Sequence, residues 1–171
     1  METWDAIASR RNVRQFSSQP ISPGDLDRIL EAGRRTPSAG NVQPWDFIVV
    51  TEPQVLAELP QVWRGAAHLA RGQAAIVLVA PDAADPRTRE LTQYDLGQAT
   101  MSIMLAAADL GIGTGHSSVE DQDLARRLLG VPEDRVVAWM MALGYPEDRP
   151  LAPIAKPMRR PFEEVVHRER W

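Results

Sequence analysis

The stretch that most restricts the fold runs from Ala75 to Leu110. Ala75-Ile76-Val77-Leu78-Val79-Ala80 is an unbroken apolar run, the pattern of a strand whose sheet is covered on both faces. After a loop at Pro81–Pro86 comes a helix expected over Thr88–Leu110, with Leu96, Ala99, Thr100, Ile103, Met104, Ala107 and Ala108 at core spacing. Its second half is apolar round much of its girth, so it belongs between two layers or between two subunits. A doubly covered strand next to such a helix demands a layered fold, with helices packed on a sheet.

The remaining elements fit that scheme. Glu2–Arg11 reads as a short helix with Trp4, Ile7 and Ala8 at helical spacing. Ser22-Pro23-Gly24-Asp25 is a helix start, with a capping hydroxyl, a proline in the first turn and an acid where the helix dipole favours one. That helix runs to about Arg35, where Thr36-Pro37-Ser38 ends it. Phe47–Thr51 and Arg135–Leu143 are expected strands; Pro53–Leu59, Val62–Arg71 and Val119–Leu129 are expected helices. Gly111–Gly115 reads as a helix stop followed by a flexible turn. The Pro-rich stretch Glu147–Trp171 ends in Phe162, Val165, Val166 and Trp171, which favours a tail wrapped on something over a disordered one. The expectation is one α+β domain over residues 1–171, an α/β sandwich with a central mixed sheet flanked by helices.

Bulk composition narrows the function. The net charge of −4 speaks against nucleic acid or membrane surfaces as partners. The longest apolar stretches, near Ala74–Ala80 and Ile103–Ala108, fall short of the roughly 20 residues that cross a bilayer. Met1-Glu2-Thr3-Trp4-Asp5 carries acid where a signal peptide carries base, so a cytoplasmic location is expected. With no cysteine, disulfides, thiolate metal sites and a Cys nucleophile are excluded. Five tryptophans against three phenylalanines and two tyrosines suggest an oligomer interface.

Most catalytic signatures fail. In Gly111-Ile112-Gly113-Thr114-Gly115-His116-Ser117, Leu110 and His116 stand where a Walker A loop needs Gly and Lys. His116 also occupies the third glycine place of a dinucleotide fingerprint, and the segment follows a helix rather than a strand. His68, His116 and His167 lack ligand spacing for a metal, and no Gly-x-Ser-x-Gly is present. What remains is Arg10-Arg11-Asn12-Val13-Arg14 and Pro37-Ser38-Ala39-Gly40-Asn41-Val42-Gln43-Pro44-Trp45. Arginine favours bidentate capture of phosphate, and the second segment offers small polar side chains to the edge of a heterocycle. The arginines alone also fit a solvated helix end, but Lys156, Arg159 and Arg160 form a second basic cluster able to converge on the same phosphate.

Arg10-Arg11-Asn12-Val13-Arg14-Gln15-Phe16 resembles the Arg-Arg-Ser-Val-Arg-x-Phe opening of the FMN-dependent nitroreductase family. Residues Pro37–Trp45 are similar to its Pro-Ser-x-x-Asn-x-Gln-Pro-Trp loop, and Leu110–Thr114, Leu143–Pro146 and Arg159–His167 resemble its Gly-rich turn and closing segments. The resemblance implies a homodimer with FMN at the interface, NAD(P)H as reductant, a small-molecule acceptor such as a nitro compound or quinone, and a ping-pong cycle. It implies a tail wrapping the partner subunit. Arg10, Arg11 and Asn12 would hold the phosphate and ribityl chain, with Arg159 and Arg160 or Lys156 completing the clamp. Arg14 would face the pyrimidine side, where it is a candidate catalytic residue. Pro37, Ser38, Ala39, Asn41 and Gln43 would come from the partner, and Gly115, His116, Ser117 and Ser118 would lie along the ring, with His116 a candidate proton donor. Asn12 departs from the usual Ser, and Gly115-His116 stands where many members have Cys-Trp. Some relatives use the pocket for dehalogenation, flavin fragmentation or non-enzymatic flavin or deazaflavin binding.

Overall fold

The computed structural model describes residues 1–171. Its helices are α1 (Thr3–Ser9), α2 (Pro23–Arg34), α3 (Pro53–Glu58), α4 (Pro86–Asp109), α5 (Gln122–Leu129) and α6 (Phe162–Val165), and its strands are β1 (Asp46–Val50), β2 (Ala74–Pro81), β3 (Gly113–Ser117) and β4 (Arg135–Gly144). The sheet order is β1-β2-β4-β3.

β2 is the centre, as its apolar run requires. Alternation sends Ala75, Val77 and Val79 to one face and Ala74, Ile76, Leu78 and Ala80 to the other, and each set joins a separate core. On the first face the cover is α3, α5 and short turns, through Leu56, Leu59, Val62, Leu69 and Ala125. On the second it is α2 and α4, through Ile29, Leu96, Ala99, Ile103 and Ala107. α2 begins as its sequence demands, with the Ser22 hydroxyl accepting from the Asp25 N–H at 3.1 Å. α4 starts on a similar cap, Asp85 accepting from the Thr88 N–H.

Several elements differ from expectation. All four strands pair antiparallel. β2 and β3 run in the same direction after the α4 crossover, but β4 lies between them. Parallel pairing is confined to one bridge, Asn12 with Thr114, so the sheet is mixed only at that edge. The expected flexible turn is half strand: Gly111, at φ 73°, turns the chain, and Gly113–Ser117 then pairs with β4. Val62–Arg71 is not a helix but a run of turns with 3-10 pieces at Leu59–Val62 and Leu69–Arg71. The α1 face that packs inward carries Ala6 and Ser9, leaving Trp4 and Ile7 exposed. The tail beyond Leu151 is exposed, with α6 a single turn.

Candidate active site

The Arg-rich segment runs along the free edge of β3. The Val13 N–H donates to Thr114 O at 2.9 Å, and Ser17 N–H to Tyr145 O at 2.9 Å. Val13 and Phe16 are buried and act as plugs. Glycine at 113 and 115 makes this approach possible: a Cβ on Gly115 would fall 2.2 Å from Val13 O and 3.0 Å from the His68 ring, and one on Gly113 would fall 2.5 Å from the Val13 side chain. His68, almost fully buried, adds a hydrogen bond between Nε2 and Gly115 O at 2.9 Å. Burial lowers the His68 pKa; the Gly115 carbonyl opposes this and the Arg14 charge reinforces it.

With the plugs seated, the polar neighbours face a groove of about 370 Å³ lined by Arg11, Asn12, Arg14, Gln15, Arg71 and Asp148. Arg11 is paired with Asp148 at 2.7 Å. Arg14 and Arg71 face no carboxylate within ion-pair distance, so the groove has an excess of positive charge. Arg71 has no sequence signature: it is an exposed cation in a turn, and only the fold brings it beside Arg14. Arg10 points toward α4, with Nη1 4.0 Å from Met104 Sδ.

His116 sits on the α4 side of β3. It lines a second groove of about 270 Å³ with Gln93, Gly97, Thr100, Trp139 and Met141. Its ring meets Trp139 edge-on at 6.3 Å, and its Nδ1 is buried without a partner. Burial lowers its pKa, helped by the charges of Arg10 and Arg14. The Ser117 hydroxyl is buried and donates to Ser118 O at 3.1 Å, not to the adjacent histidine.

The Pro37–Gln43 segment is held by a residue the sequence reading passed over. Asp95, buried in α4, accepts from the Ala39 N–H at 3.2 and 3.1 Å and from Gln98 Nε2 at 3.3 Å. Its only signal was a carboxylate next to Leu96, where the polar first half of α4 gives way to the apolar second half. Ser38 Oγ accepts from the Gln43 N–H at 2.8 Å, Gln43 Nε2 donates to Asn41 O, and Thr36 Oγ1 bonds Ser102 Oγ. Gly40, Asn41 and Gln43 take positive φ, so the loop is tightly formed. Asp95 and Ser102 lie about 180° around α4 from Gln93, Gly97 and Thr100 at 3.6 residues per turn. The loop and the His116 groove therefore occupy opposite sides of one helix and do not converge within a chain. Lys156, Arg159 and Arg160 are not brought to Arg10–Arg14 either: Arg159 donates to Met158 O, and Arg160 bonds Glu164.

The chain belongs to the nitroreductase family, whose model matches residues 7–145. It is 37% identical over 96% of both chains to an Archaeoglobus fulgidus protein named for NADH dehydrogenase/NAD(P)H nitroreductase activity. It is 32% identical to 5,6-dimethylbenzimidazole synthase of Rhodobacter capsulatus over 86% of both. An FMN-dependent nitroreductase from Clostridium difficile superposes with a TM-score of 0.83 at 25% identity, covering 96% of this chain and 99% of the other. No helix is long and apolar enough to cross a membrane.

The Gly115–Val13 approach predicts that Gly115→Ala destabilises the protein by about 1–3 kcal/mol, the range for an overpacked site, and speeds exchange of the Val13 amide; an unchanged amide would contradict the contact. The histidines predict a pH effect of definite sign. Both have folded pKa values below the ordinary 6.5, so the unfolded chain binds more protons just below that value. Their stability contribution is full above about pH 6.5 and falls on acidification through the folded pKa values. The urea midpoint should drop below pH 6.5, and the drop should shrink in His68→Gln.

Proposed function

We propose that this nitroreductase-family enzyme binds FMN at the Arg10–Arg14 strip and carries reducing equivalents from NAD(P)H to nitro compounds, quinones or related small acceptors, as a homodimer. The observation that carries the reading is the uncompensated cation set on the free edge of β3, beside a groove walled by His116 and Trp139. The residues suit an anionic, ring-bearing group. Arg14 and Arg71 have no carboxylate within ion-pair distance, although Asp148 lines the same groove on Arg11, and the His116 Nδ1 is an orphaned buried atom.

In this reading Arg10 and Asn12 hold the phosphate and ribityl chain. Arg159 and Arg160, which in the single chain bond within the tail, would have to swing in to close over the phosphate, and Arg14 would face the pyrimidine side, where fixed positive charge stabilises developing negative charge. Gly115, His116, Ser117 and Ser118 line the ring, and a second copy contributes Pro37, Ser38, Ala39, Asn41 and Gln43. Bound there, FMN supplies the two-electron chemistry that links a nicotinamide to the acceptor. His116, kept neutral near pH 7 by burial and by Arg10 and Arg14, is the group able to hold a proton at the ring. The dimer has its own support. Trp4 and Tyr94 are 74% and 70% exposed on the contacting helices α1 and α4, with Ile7, Met101 and Trp139 also in solvent. A monomer seldom leaves so much large apolar surface uncovered. Phe162 and Trp171 give the tail apolar groups to lay on the second copy.

A second reading, in which the bound flavin is itself consumed, has support in the identity to the benzimidazole synthase. The visible spectrum distinguishes them. The purified protein, loaded with FMN, should bleach under anaerobic NADPH or NADH and regain its full colour with an acceptor. Colour lost irreversibly under oxygen would favour the second reading, and failure to bind added FMN would overturn both. Arg10→Ala should weaken FMN binding by about 1.5–3 kcal/mol, the value of a hydrogen bond to a charged group.

A further inference from the structure

Arg11 behaves unlike the arginines on either side of it. Its side chain is only 16% exposed, and Nη2 donates both to Asp148 Oδ1 at 2.7 Å and to Arg149 O at 2.9 Å. The pairing holds the Asp148 carboxyl below its usual range. These bonds lie midway along a contact between the tail and the stretch that runs from the last turn of α1 to Ser17. Ser17 N–H donates to Tyr145 O, Glu147 N–H to Gln15 O at 3.2 Å, and Ile154 N–H to Ala8 O at 3.0 Å. Residues 145–154 thus descend antiparallel beside residues 17–8, and Arg11 closes the span between the two end contacts. Its side chain also walls the hollow along which Pro150, Ala152, Pro153 and Ile154 lie. Past Ile154 every hydrogen bond of the tail is made within the tail.

We propose that Arg11 is a positioning residue, a clamp that fixes the direction in which the tail leaves the fold, and not a phosphate ligand. The proposal rests on the FMN reading only for its consequence: the clamp fixes the point from which Lys156, Arg159 and Arg160, which lie away from Arg10–Arg14 in the single chain, would reach for a phosphate. The chemistry separates Arg11 from its neighbour. A phosphate placed on Arg11 would lie beside the Asp148 carboxylate and be repelled by it, whereas Arg10 has no carboxylate partner. The charge of Arg11 is already neutralised, and the carbonyl of Arg149 takes a second bond that only a fixed backbone path can offer.

The test is a charge swap in the full-length protein, with two readouts: the rate of protease cleavage within residues 147–160 without FMN, and FMN affinity. Arg11→Asp and Asp148→Arg should each speed cleavage about two- to fivefold, as loss of a partly exposed ion pair implies, and each should weaken FMN binding. The double variant should restore both to near the parent values. Asp148→Asn, at a half-exposed position, serves if a reversal disturbs folding, and should give a smaller shift in the same direction. Cleavage unchanged in all single variants would overturn the clamp. Restored tail protection with FMN affinity still lost would overturn the exclusion of Arg11 from the phosphate site. If FMN binds to no variant and not to the parent protein, the functional reading fails, while the cleavage rates still decide the clamp.

Discussion

The contact between Val13 and the glycines of β3 organises the rest of the site. Val13 gives its N–H to Thr114 O and buries its side chain over Gly113 and Gly115, where any Cβ would collide. Seating Val13 turns Asn12 and Arg14 to the groove at the sheet edge, while Arg10 reaches toward α4. His68 braces the same place from below through Gly115 O. Burial of Val13 and Phe16 thus holds Arg10 and Arg14 in register without a carboxylate partner, and only Arg11 between them has one, in Asp148.

α4 is the second organiser. One side holds Thr36 on Ser102 and the Pro37–Gln43 loop on Asp95; another forms the floor of the His116 groove. A buried carboxylate is tolerated because it accepts hydrogen bonds from Ala39 and Gln98. One helix separates the two polar surfaces, so under the proposed FMN reading a complete site takes its Pro37–Gln43 loop from a second copy, with the exposed Trp4, Tyr94 and Trp139 available to meet it. The tail obeys the same logic, with its first ten residues held on the parent chain and its basic cluster free to reach outward.

Much of this was readable from residues alone, and the gaps have physical reasons. β2 announced itself by a run covered on both faces and α2 by its cap, while the arginines and the Pro-Ser loop marked out the candidate site proposed above. β3 did not, because Gly-Thr-Gly-His-Ser has little intrinsic strand preference and owes its pairing to β4 and to the backbone of Val13. The turns at Val62–Arg71 keep Val62, Ala66 and Leu69 buried at nearly helical spacing, so the pattern imitated a helix. Trp4 matched a core stripe but faces solvent, since the inward face of α1 needs residues as small as Ala6 and Ser9. Arg71 and the Arg11–Asp148 pair are tertiary events, joining residues too distant in sequence for any local motif to register.

The claim that each site is built from two chains is tested most directly by subunit complementation. One chain carries Arg10→Ala and the other Asn41→Ala; each homodimer is measured for FMN binding, then the two are mixed and the heterodimer is isolated. If the Arg strip of one subunit works with the Pro37–Gln43 loop of the other, the heterodimer holds one undamaged site and one doubly damaged site, and it should recover one tightly bound FMN per dimer. If both segments serve the same chain's site, every site in the mixture carries one lesion, and no tight binding would return.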